Sequence, residues 1–232
     1  MLIGPGESHR HLDRVLRKIK TWADKIVVVC DGADPDTSEA VRTATTLWVW
    51  HLQRDMLEDE SKARNRLMAL LDDEAKTDDL IVILDADEEL FALNQENLND
   101  LLMDAVYISP FRSYPCWFLH HWDPDGLTVR IDGGWDPPYG VRIYRHVKGR
   151  RIQDKSFACS PIPDEAMEAV CPTEQTPFGI RHWGYAYPHD RARKHDYYMK
   201  RDGGNFHSGD HIHSIIQQAT LKSTREILGY DF

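Results

Sequence analysis

Between Asp85 and Glu89 the chain sets four acids around one alanine, directly behind the apolar run LIVIL of residues 80–84. Carboxylates at this density repel one another and resist leaving water, so a cation is expected to offset them. Asp85 and Asp87 are two residues apart, a spacing that lets two carboxylates in a turn share one hard divalent ion. Mg²⁺ and Mn²⁺ take oxygen ligands of this kind, often few protein carboxylates together with substrate phosphates. A solvated turn at the exit of a buried strand would explain the same residues more plainly. Placement favours the metal. A second acid, Asp31, closes the run KIVVVCD, and sheets of alternating strands and helices collect their ligands at strand carboxyl ends.

The elements that must position these acids follow from hydrophobic periodicity. Leu12, Val15, Leu16, Ile19 and Trp22 recur at three- and four-residue steps and predict a helix; Lys25–Cys30 is a β-branched run and predicts a buried parallel strand. In DGADPDT, Asp36 or Thr37 is expected to cap a helix continuing through Ala44. Thr46–Gln53 predicts a strand, Glu58–Glu74 a helix, Leu80–Asp85 a strand and Asn94–Met103 a helix. The alternation predicts an α/β fold with a mostly parallel sheet and helices on both faces. After Ala105 the texture changes. VYISPFRSY, CWFLHHW and LTVRIDG predict strands of an antiparallel extension, the last two joined by the turn Asp123–Gly126. FGIRHWGYAY predicts a further strand, followed by a basic helix from His189 to Arg201 and a tail helix over Asp210–Leu228.

At 232 residues a single domain is expected, with residues 1–105 as one half and 106–232 as the other. Lys plus Arg number 28 against 38 Asp plus Glu, a net charge of −10, which argues against stable nucleic-acid or anionic-membrane binding. The four cysteines, Cys30, Cys116, Cys159 and Cys171, have no CxxC spacing, so neither a zinc knuckle nor a disulfide framework is expected. With no transmembrane run and no signal-peptide pattern, a cytoplasmic protein is expected.

VVVCDGADPDT, KARNRLMAL and LIVILDADEEL together resemble the nucleotide-sugar half of family 2 glycosyltransferases with the GT-A (Rossmann-like) fold. The nearer likeness is to the branch of lipopolysaccharide core glucosyltransferases of the WaaE type, through VRIYRH and RHWGYAYPHDRARKHDYYMKRD. The resemblance implies an inverting, metal-dependent transfer of a sugar from a nucleoside-diphosphate sugar, a UDP-sugar above all, to a carbohydrate, lipid-linked glycan or protein acceptor. It implies that Asp31 bonds the base, Arg64 lies beside the phosphates, Asp85 faces the ribose, and Asp87 with His182 holds Mn²⁺ or Mg²⁺. Arg193 and Lys194 would meet the leaving diphosphate. The usual paired Asp-Asp is Cys30-Asp31 here, and the His-Glu expected behind VRIYRH is absent; the nearby acids are Asp154, Asp164 and Glu165, of which Asp154 is taken as the base for the acceptor proton. A nucleotidyltransferase would join the same acids to a metal and a nucleotide, and a non-catalytic relative would bind the nucleotide-sugar without turnover.

Overall fold

Val27–Asp31 (β2) is the centre of a three-stranded parallel sheet in the computed structural model, between Leu2–Ile3 (β1) and Leu47–His51 (β3). Leu2 is in register with Val29, and Val29 with Val49. The structure describes residues 1–51, 59–132, 135, 139–153, 160–202 and 213–230. They divide into two units: Met1–Cys116 with Gly140–Phe178, and Trp117–Tyr139 with Gly179–Phe232.

In the first unit the parallel strands are linked by helices whose limits are set by capping chemistry. Leu12–Ile19 (α1) buries the expected stripe of Leu12, Val15, Leu16 and Ile19. Pro35–Ala44 (α2) is capped by Asp34 rather than by Asp36 or Thr37. The Asp34 carboxylate accepts from Thr37 N–H at 3.0 Å and from Gly6 N–H at 2.5 Å, while Pro35 takes the first helical position, where no N–H is needed. Glu60–Glu74 (α3) is capped by Asp59. Its inner face packs Ala63, Leu67, Met68 and Leu71 against Leu2, Val29 and Ile83.

The expected strand Leu80–Asp85 is shorter, Leu80–Val82 (β4), and it runs antiparallel to Tyr139–Arg145 (β8), with Val82 opposite Ile143. The acidic turn does not simply leave the sheet. Its last two acids begin a further strand, Glu88–Ala92 (β5), which the charges concealed. Leu98–Tyr107 (α4) follows, capped by Asn97. Val106 and Tyr107 end that helix instead of starting a strand; the strand expected there begins at Ser113 (Ser113–His120, β6).

The unit boundary passes through β6. In the second unit β6 runs parallel to Phe178–His182 (β9), with His120 opposite His182. The turn at Asp123–Gly126 returns the chain into Thr128–Arg130 (β7): Asp123 accepts from the backbone of Leu127 and Thr128, and Gly126 adopts φ +72°. Leu221–Ser223 (β10) pairs antiparallel with β7, so the tail is not the single helix its periodicity suggested. Pro188–Asp202 (α5) is the basic helix, and Thr224–Leu228 (α6) is a short turn of helix with a Ser223/Glu226 capping box. Trp135, Tyr185 and Ile215 form this unit's core, with Trp122 and Tyr198 against it. Among the described residues, no helix is long and apolar enough to cross a membrane.

Candidate functional site

In the first unit Asp31 ends a strand, whereas Asp85 and Asp87 lie in the turn between β4 and β5. Asp31 is the last residue of β2 and is fully buried, and Asp85 and Asp87 follow β4, both partly exposed. The cations beside them are arginines. Arg64 on α3 is 6% exposed, and its Nε donates to Glu60 Oε1, one helical turn back, at 2.9 Å. Its Nη1 lies 3.9 Å from Asp85 Oδ1. From β8, Arg142 grips Glu88 with two bonds, Nη2 to Oε1 at 2.7 Å and Nε to Oε2 at 3.2 Å, and its Nη2 lies 3.8 Å from Asp85 Oδ2. Asp85 N–H also donates to Glu88 Oε2 at 3.0 Å, which fixes the turn. Arg14 on α1 holds Glu89 at 2.5 Å.

This arrangement accounts for most of the acidic cluster. Glu88 and Glu89 are buried and each is paired with its own arginine, and Asp85 stands between two guanidiniums at ion-pair distance rather than hydrogen-bond distance. Burial works against the charge on Arg142, but Glu88 and Asp85 more than offset it and raise its pKa. The remaining acid, Asp87, occupies the partly exposed turn. Among the described residues, no group of three or more His, Cys, Asp and Glu side chains is arranged to hold a metal ion.

The second unit gathers His182, Lys194 and a residue the sequence reading passed over, His120. His120 and His182 are register partners on adjacent strands, so their rings share a face, and their Nδ1 atoms are 2.8 Å apart. Lys194 on α5 places Nζ 3.2 Å from His182 Nε2 and 4.4 Å above the Tyr185 ring. An ammonium there donates to Nε2, which leaves the His182 proton on Nδ1 and makes His120 Nδ1 the acceptor. Both ring nitrogens of His182 thus contact other side chains, and metal ligation by His182 would require one of those contacts to be given up. Arg193 is about half exposed and lies 3.6 Å from buried Asp190. Two guanidiniums stack on Trp122, Arg130 at 4.8 Å and Arg191 at 4.9 Å from the ring centroid.

No protein-family model matches this chain, and no curated protein matches it.

The structure brings Arg64 and Asp85 together in one unit and His182 and Lys194 together in the other. Asp154 lies outside the described residues. The sequence reading missed Glu60, Glu88 and Arg142. Glu60 had a usable signal, since it lies four residues before Arg64 on a helix. Arg142 had none beyond its strand, because its partners lie 54 and 57 residues away in the chain.

Proposed function

We propose that this chain is a GT-A-type glycosyltransferase that takes a nucleoside-diphosphate sugar and transfers its sugar with inversion. The observation that carries the reading is the pair of guanidiniums, Arg64 and Arg142, each anchored by a buried glutamate and both directed at Asp85 behind β4. Anchored cations need little reorganisation when a substrate brings negative charge, which is what a site for a departing diphosphate requires. The alternating strands and helices of the first unit, with Asp31 at the end of the central parallel strand, support the same reading.

In this scheme Asp31 accepts a hydrogen bond from the base, Asp85 receives the ribose, and Arg64 lies beside the phosphates. A divalent ion, Mn²⁺ or Mg²⁺, held by Asp87 and the donor's phosphates would neutralise charge on the leaving diphosphate. The acceptor hydroxyl gives its proton to a carboxylate, Asp154, as its oxygen forms the bond to the anomeric carbon and the carbon–diphosphate bond breaks.

A thermal-shift panel of nucleoside diphosphates and their sugars, run with and without Mn²⁺, tests the reading. The expected result is stabilisation by one nucleotide class that needs Mn²⁺ and disappears in Asp87→Ala. Equal response in Asp87→Ala, or no response to any nucleotide, would overturn it.

A further inference from the structure

Glu60 and Arg64 from α3, Arg142 from β8, Glu88 from β5 and Asp85 from the turn before it form one ion cluster in the first unit. The Glu60, Arg64, Arg142 and Glu88 side chains are no more than 13% exposed, whereas that of Asp85 is 35% exposed. Asp85 is the member that solvent reaches most. Its two oxygens are divided between the cations, Oδ1 3.9 Å from Arg64 Nη1 and Oδ2 3.8 Å from Arg142 Nη2. Both separations are roughly 1 Å longer than a charge-assisted hydrogen bond.

The backbone explains the gap. Asp85 N–H donates to Glu88 Oε2 at 3.0 Å, and Glu88 N–H donates to Asp85 C=O at 3.1 Å, so Asp85 is held on both sides of its Cα. The same Glu88 carboxylate grips Arg142. Tether and target are fixed to one side chain, and Asp85 cannot close on the guanidiniums by moving its main chain. A free anion carries no tether. It can reach hydrogen-bond distance of both guanidiniums once the Asp85 carboxylate has turned away. Charge requires that turn, because three carboxylates already face the two guanidiniums and like charges brought side by side are costly.

We infer that Asp85 is a resident counter-ion, holding the place between Arg64 and Arg142 that a phosphate group of the ligand takes over. The inference rests on the proposed function for the source of that phosphate, a nucleoside diphosphate, and for the ribose hydroxyl that receives the displaced carboxylate. Asp85 then acts twice, first as the competitor of the phosphate and afterwards as the partner of the ribose. The exchange couples the two halves of the ligand. The ribose draws the carboxylate off the guanidiniums and so strengthens phosphate binding, whereas a phosphate without a ribose must displace it unaided.

Calorimetric titration with inorganic pyrophosphate, metal-free and at low ionic strength, isolates the guanidiniums. Asp85→Asn is expected to bind pyrophosphate about tenfold more tightly than the unaltered chain, the scale of one or two partly exposed ion pairs. Asp85→Ser removes the same charge with a different shape and should do the same. With Mn²⁺ present, the advantage of a nucleoside diphosphate over pyrophosphate should shrink by about tenfold in either variant, since any effect on the metal touches both ligands alike. An unchanged advantage would overturn the hand-over to the ribose. No pyrophosphate binding, or no gain in either variant, would overturn the exchange. So would an equal gain in Asp73→Asn, an exposed acid farther along α3, because net charge alone would then explain it. Nucleotide binding that needs Mn²⁺ and Asp87, without a pyrophosphate gain in the Asp85 variants, removes the exchange and leaves the proposed function. A pyrophosphate gain with no response to any nucleotide removes the proposed function and leaves the exchange at a phosphate site.

Discussion

Asp87 and Glu88 are neighbours in sequence and opposite in consequence. Glu88 is 2% exposed and held by the Arg142 fork, so Glu88→Ala leaves a buried guanidinium without its main counter-charge. The expected cost is about 3–5 kcal/mol in urea melts, the range for breaking one half of a buried pair. Asp87 sits in the turn, partly exposed, and Asp87→Ala is expected to change stability by less than about 0.5 kcal/mol while abolishing metal-dependent nucleotide binding. The same melts check both variants, and a large loss for Asp87→Ala would make that residue structural. Arg64→Ala belongs with Glu88→Ala, because Glu60 is 7% exposed and would be left behind.

At the level of elements, Asp34 ties the start of α2 to the turn at Gly6. Bonds from Gly6 N–H and from the backbone and hydroxyl of Thr37 outweigh burial and hold its carboxyl well below the usual value of 3.8. Asp34→Ala is expected to cost about 1 kcal/mol at neutral pH, as for other helix caps. The folded-state pKa is depressed, so the contribution is present above the unfolded value and is lost as pH falls through the folded one. Urea melts of Asp34→Ala and the unaltered chain should therefore converge as the solution is acidified below pH ~4. His146, behind β8, moves the opposite way in charge. Burial lowers its pKa from 6.5, and Asp72, 3.2 Å away, only partly offsets this. The folded state binds its proton less readily than the unfolded chain, so stability is expected to fall as pH drops below about 6.5. His146→Gln should flatten that slope.

Over the whole molecule, the two units have separate apolar clusters and distinct points of fragility. Gly126 in the second unit combines φ +72° with the Trp183 ring, whose Cη2 would lie 2.6 Å from an added Cβ. Gly126→Ala is strained by backbone and by contact together, and a loss of about 2 kcal/mol or more is expected in thermal melts. Leu67→Ala in the first unit removes a side chain that is 1% exposed and should cost about 2–5 kcal/mol.

Periodicity alone located α1, α2, α3 and the parallel strands to within a few residues, because each depends on a local stripe, run or cap that the chain carries with it. It also placed Asp31 at a strand end, while Asp85 and Asp87 fall in the turn after a strand shorter than expected. It did not find β5, because Glu88 and Glu89 look like a solvated turn until Arg142 and Arg14 arrive from β8 and α1. The tail misled for a related reason: Leu221–Ser223 becomes a strand through pairing with β7, and no local propensity announces it. The partner of His182 was hidden likewise, since His120 meets it only through the register of β6 and β9. Local spacing decides which residues can form an element. Which cation neutralises a buried acid, and which edge a strand joins, depend on residues far along the chain, and only folding brings those together.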